Sequence, residues 1–275
     1  MTQDVVMLTV NVQGIGPEAA QTSPSSLYGR FAHGRYAYRG GLISLMDRLR
    51  QLQVPATFFW PLFEARCCRA ELERCVADGH EVAAHGHAFE DHATLLPGRE
   101  AELLELCGET LAQWTGQRPT GFRSPTGTLS ANTISLLGRQ GWRYDSSFVD
   151  DDSPYSLAAD GAPGMVELPW SESLCDATHF RRRFSQRRAE AAMAEEFEPL
   201  LDADGYMCIS LHPRGDIGVA RPARLRMVDA LVQKARKRGA RFMRCAEVAE
   251  LALTSDGVVW NGRAKPGLPA VDYRS

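Results

Sequence analysis

The chain has no run approaching 18 consecutive apolar residues, the length a membrane-spanning helix needs, so no span is expected to cross a bilayer. It also lacks a Cys-x-x-Cys pair. Its seven cysteines (67, 68, 75, 107, 175, 208 and 245) are odd in number, which argues against a disulfide framework or a structural zinc site. No basic segment followed by an apolar stretch and a cleavage site precedes Val5, so no signal peptide is expected. With reduced thiols, the expectation is a cytoplasmic protein. Charge of one sign is absent too. The 31 Lys and Arg against 34 Asp and Glu leave a formal net charge of −3. That gives no global reason to bind nucleic acid, and the basic clusters are local. There are no internal repeats and no low-complexity tract.

What is present is a globular composition, 44% hydrophobic over 275 residues, enough for one full core. Short apolar runs alternate with amphipathic ones. Val5–Asn11, Ala56–Trp60, His80–Ala84, Gly121–Arg123, Trp142–Asp145, Val166–Leu168, Tyr206–Leu211 and Arg241–Met243 read as strands. Residues 41–53, 69–78, 97–115, 130–141, 186–201, 220–238 and 246–253 read as helices, with Gly79 and Gly116 as C-terminal stops and Ser130 as an N-cap. Alternation of this kind predicts an α/β fold with a parallel sheet, open or closed into a barrel. Residues 1–253 are expected to form a single domain, with 254–275 as a tail or arm. Two Gly- and Pro-bearing stretches, 15–40 and 150–164, read as long loops after strands, where substrate sites are commonly built.

The densest chemical signal is His85-Gly86-His87-Ala88-Phe89-Glu90-Asp91-His92, directly after a predicted strand. Histidine can ligate a metal or carry a proton near neutral pH. Asn11 and Gln13 fall on the same side of the first strand by its period of two. His212 ends the strongest strand.

Four segments in order resemble the polysaccharide deacetylase (NodB homology) superfamily. They are Leu8–Gln13, Gly79–Gly86, Gly121–Pro125 with Tyr144–Ser147, and Leu211–Pro213, and the resemblance spans roughly residues 4 to 253. It implies a distorted (β/α) barrel with about seven strands and hydrolysis of a carbon–nitrogen amide bond. It implies that His212 is the general acid, that Asp145 orients it, and that Arg123 pairs with the base. At the family's base and metal-ligand positions the chain reads Asn11, Gln13, His85 and Phe89. One inherited imidazole falls short of the roughly three protein ligands of a catalytic metal. In this respect the chain is similar to the metal-independent allantoinase-like branch.

The expected catalytic set is therefore His212, Asp145, His85, Asn11 and Arg123, with Gln13, His87, Glu90, Tyr28, Arg30 and Trp170 contacting substrate. No cofactor is expected, a zinc-type ion rebuilt on His85, His87 or His92 being the alternative. Glu90 or Asp91 either replaces the lost base or caps a turn. Arg123, left with Asn11, should find another anion in Glu167 or in an anionic substrate group. Arg181–Arg183, Arg187 and Arg188 are read as a solvated face, a subunit contact in a homo-oligomer, or substrate steering. A lyase or cyclase on the same scaffold, and a non-catalytic binding protein, are the competing functions.

Overall fold

The computed structural model describes residues 4–22, 26–27, 29–157, 164–254 and 257–267. At its centre is β1 (Val5–Asn11), and all seven of its side chains are buried. A strand covered on both faces reads as a continuous apolar run, which explains its sequence. Parallel neighbours follow in register on one side: β2 (Thr57–Trp60), β3 (Glu81–Ala84), β4 (Gly121–Phe122) and β5 (Tyr144–Asp145). Beyond them lie β6 (Tyr155–Leu157), antiparallel at the edge, and β7 (Met165–Glu167), in the order β6-β7-β5-β4-β3-β2-β1. β8 (Tyr206–Leu211) pairs with the other side of β1 along six residues, and the short β9 (Arg241–Phe242) joins the start of β1.

The sheet curls into a half-barrel, the fold class expected. Cys175 makes a parallel bridge to Ser210, so the chain after β7 reaches the far edge at β8. That bridge brings sequence-distant residues to one mouth.

The outer helices bury apolar stripes. Leu42–Leu52 buries Leu42, Leu45, Met46 and Leu49, a 3.6-residue spacing. Pro97–Thr115 begins at Pro97 and ends at Gly116, whose φ of 80° supplies the left-handed turn that closes it. Gly121 is required for a different reason. A Cβ there would lie 1.7 Å from the Tyr144 ring, whose hydroxyl donates to the half-buried Glu81 carboxylate at 2.8 Å.

Several readings need correction. The 150–164 stretch is not loop throughout, because Tyr155 and Leu157 point inward and pair as β6. Ser130 does not cap the next helix, which starts at Thr133; its hydroxyl donates instead to Glu100 at 2.6 Å. The predicted helix 186–201 is two, Gln186–Glu195 and Phe197–Asp204. Apart from these corrections, the segment expected as a tail or arm contributes, among its described residues, to a small antiparallel sheet of β10 (Leu253–Thr254), β11 (Gly257–Trp260) and β12 (Arg263–Ala264). It is anchored by Val258 and Trp260, both buried, with Trp260 edge-on to Tyr206 at 5.6 Å. Among the described residues no helix is long and apolar enough to cross a membrane.

Candidate active site

The C-terminal ends of β1, β3, β4, β7 and β8 surround a cleft of about 270 Å³. Asn11, Gln13, His85, Arg123, Trp170, Cys175 and His212 line it. Barrel enzymes place their chemistry at this end, where loops differ while strands hold position.

His212 is the best-oriented group. Its Nδ1 lies 2.6 Å from Asp176 Oδ1. The other oxygen of Asp176 accepts the backbone N–H groups of His212 and Val219, each at 2.9 Å. A carboxylate fixed by two backbone donors and buried completely can serve as a rigid partner for the imidazole. The orienting acid is therefore Asp176 and not Asp145. Asp145 accepts from the Ser147 backbone and hydroxyl at 2.9 Å and sits against Glu167. Burial pushes both carboxyls up, Glu167 much further because Asp145 adds a like charge, so the pair is best described as sharing a proton beneath the cleft.

With its Nδ1 proton directed at Asp176, His212 presents a lone pair at Nε2. Asn11 Nδ2 approaches that atom at 3.3 Å and Ser210 Oγ at 3.2 Å. Asn11 is held in this orientation because its Oδ1 accepts from Arg123 at 3.1 Å. Arg123 is buried, and every guanidinium hydrogen has an acceptor. Nε donates to the Ser146 carbonyl at 2.7 Å, one terminal nitrogen to Thr9 Oγ1 and Asn11 Oδ1, and the other to Ser146 Oγ and Cys208 Sγ. Among the described residues no carboxylate pairs with it. Expecting Glu167 as its anion was wrong, since that acid is engaged with Asp145. The idea that Arg123 grips an anionic substrate also fails: no N–H remains to offer. Arg123 instead fixes which end of the Asn11 amide faces His212.

His85 is fully buried. Its Nδ1 donates to the Arg123 carbonyl at 2.7 Å, and its Nε2 lies 3.3 Å from Gln13 Nε2. Burial, the largest influence, lowers its pKa to about 3, so it is neutral near pH 7. The sign follows directly. The unfolded chain takes up a proton below its pKa of 6.5, and the folded one refuses it down to about 3. Stability is therefore lost as pH falls through that window, by up to about 1.4 kcal/mol per pH unit. Denaturation midpoints of His85→Asn between about pH 7 and 4 should show a shallower acid limb than the parent. Equal slopes would refute the assignment. Asp145 and Glu167 titrate with the opposite sign and are common to both proteins.

These residues do not fit the family's metal. His85 uses both ring nitrogens within the protein, Gln13 offers only a neutral amide, and Phe89 has no donor atom. His87 and His92 do not rebuild the set. His92 is buried against Glu100 at 3.0 Å, and neither lines the cleft.

The other expected contacts divide. Gln13 and Trp170 line the cleft, and both carry a buried polar atom without a protein partner, Gln13 Oε1 and Trp170 Nε1. Glu90 is turned to the backbone N–H groups of His87 and Ala88 at 2.6 and 2.7 Å, and Asp91 caps a turn at Ala93. Neither reaches the cleft, so neither replaces the lost base. Trp60 is core. Arg181 lines the cleft, while Arg188 stacks on Phe184 at 3.9 Å. Tyr28 and the side chain of Arg30 lie outside the described residues.

Two features escaped the sequence reading. Asp176 is one. The other is Glu64, buried, which accepts Gly14 N and Gly16 N at 2.9 Å and the Tyr38 hydroxyl. Together with Arg214, which donates to Gly14 O at 2.6 Å, it locks the loop that carries Gln13.

Residues 34–144 match the family model for polysaccharide deacetylase. That segment of the chain is similar to a polysaccharide deacetylase domain. A putative polysaccharide deacetylase from Mycobacterium smegmatis has the same fold at a TM-score of 0.83, with 25% identity, 96% of this chain covered and 94% of that one. Puue allantoinase follows at 0.78 and 21% identity, covering 90% and 89%. The peptidoglycan deacetylase of Helicobacter pylori is 29% identical over 142 residues, 51% of this chain and 47% of its own. The match thus spans about half the length of that curated relative.

Proposed function

We propose that this deacetylase-like domain hydrolyses a carbon–nitrogen bond of the amide type in a small substrate, with the His212–Asp176 dyad moving the proton and no resident metal. The observation that carries this reading is the dyad itself. An imidazole whose Nδ1 proton is held at 2.6 Å by a buried carboxylate, and whose Nε2 faces a cleft, is a general base in the correct tautomer.

In the proposed reaction a water displaces the Asn11 amide from His212 Nε2. His212 takes its proton as the oxygen attacks the carbonyl, and Asp176 stabilises the imidazolium formed. The same proton then passes to the departing nitrogen. One residue thus does the work that the resemblance divides between a base and a general acid. Trp170 Nε1–H and Gln13 Oε1, each on a residue that lines the cleft, are a donor and an acceptor without a protein partner. An amide brings the complement of each, a carbonyl oxygen and an N–H. Names among the relatives, deacetylase and allantoinase, belong to the same reaction class.

The test is a panel of small linear and cyclic amides incubated in oxygen-18 water with a chelator present. Product carrying one solvent oxygen, at a rate the chelator leaves unchanged, is the expected result. Turnover without label would move the assignment to a lyase or cyclase. Loss of turnover with the chelator, restored by metal, would sink the metal-free mechanism.

A further inference from the structure

We propose that Cys175, Asp176 and His212 form a binding site for one divalent cation of the zinc type, and that its occupation switches off the proton-carrying dyad. The family's metal positions play no part in it. Cys175 Sγ, a carboxylate oxygen of Asp176 and a ring nitrogen of His212 all lie within 4.8 Å of one another, and all three residues are buried. Cys175 and His212 both line the cleft, so an ion in solution has a path to them. The set is rigid. Cys175 is fixed by its bridge to Ser210, and Asp176 by two backbone N–H donors.

Sulfur, nitrogen and oxygen donors together suit a borderline-soft ion and not magnesium or calcium, which prefer oxygen alone. Charge balances as well. One thiolate and one carboxylate neutralise a doubly charged ion, so no net charge is buried. On binding, the Sγ–H bond of Cys175 breaks, and the His212 proton passes from Nδ1 to Nε2, so the imidazole stays neutral and loses the lone pair that faced the cleft. Bonds from sulfur, Nδ1 and the Asp176 oxygen to the ion form, and one proton, that of the thiol, leaves to solvent. A fourth position opens toward the cleft.

Nδ1 and Oδ1 now stand 2.6 Å apart. Two tetrahedral ligands at bond lengths of about 2.0 Å stand roughly 3.3 Å apart. Seating the ion therefore opens this contact by roughly 0.7 Å and replaces the shared proton. His212 then has neither its carboxylate partner nor a free role as base.

The experiment is a titration of the purified protein with cadmium, followed by thiolate-to-metal absorption and by calorimetry in buffers of different ionisation enthalpy. One equivalent per chain and about one proton released per ion are expected. Cys175→Ser should weaken binding at least tenfold, whereas Cys67→Ser, which removes the exposed thiol, should leave it unchanged. Binding that survives Cys175→Ser, or that disappears with Cys67→Ser, overturns the site. Should Cys175→Ser fail to fold, alkylation of Cys175 in the parent protein gives the answer. Cadmium should slow it, and an unaltered rate refutes the proposal. None of these readouts needs a substrate, so they stand or fall apart from the hydrolase reading.

Discussion

His212→Ala is expected to abolish turnover while leaving the fold intact, and Asp176→Asn to lower kcat by about 10³- to 10⁴-fold. The second change is the more telling. An asparagine at 176 can still accept the His212 and Val219 backbone N–H groups through its oxygen, so the loop keeps its anchor. Its other end then presents an NH₂ to His212 Nδ1. That donor forces the ring proton onto Nε2 and leaves no lone pair facing the cleft, the same tautomer inversion that costs about 10⁴ in serine hydrolases. The positive charge on the ring in the transition state also loses its counter-ion. The effect should fall on kcat with KM little changed, since neither residue's role is in ground-state binding. Asp145→Asn provides the contrast. Asp145 touches Ser147 and Glu167 and not His212, so replacing it should disturb stability more than kcat. If Asp145→Asn costs as much turnover as Asp176→Asn while the fold is retained, the dyad is misassigned.

Why Asp176 was hidden while His212 was plain follows from how each is encoded. Asn11, His85, Arg123 and His212 each end an apolar run or follow directly on one. Strand ends of a parallel sheet meet at one mouth, so position along the chain is enough to bring them together. Asp176 follows no such run. It stands 36 residues from His212 and arrives only because the sheet curls far enough for Cys175 to bridge Ser210. Curvature is a property of the whole sheet, and a local pattern does not report it. Glu64 was equally silent: a single acid in a one-turn-plus helix looks like any exposed residue until Gly14, Gly16 and Tyr38 close over it. The losses at Asn11, Gln13 and Phe89 were legible because they sit inside otherwise complete motifs. What replaces the missing charge at Arg123 was not, since the sequence suggested an anion and the protein uses six neutral acceptors.

That arrangement gives Arg123→Leu a large expected cost, about 3 kcal/mol of stability. Two effects oppose each other. Removing a buried charge that has no carboxylate partner relieves its desolvation, and on that ground alone the change would stabilise. Against it stand five donors withdrawn at once. The Ser146 carbonyl, Thr9 Oγ1 and Asn11 Oδ1 are buried, and each loses its charge-assisted hydrogen bond, at about 1–3 kcal/mol per group left unsatisfied. The guanidinium also lies 4.1 Å over the Phe59 ring, a desolvated contact that leucine does not replace. Finally, Asp145 loses the positive charge that helps hold its carboxyl down against burial. Three or more unmet acceptors outweigh one relieved charge. For a chain of this length the change should lower Tm by about 6–12 °C. The same variant frees the Asn11 amide to turn its oxygen toward His212, so turnover should fall even below the melting range. A midpoint within about 0.5 kcal/mol of the parent would mean that desolvation relief has cancelled the lost hydrogen bonds. Arg123 would then be an inherited charge that the fold tolerates and no longer needs.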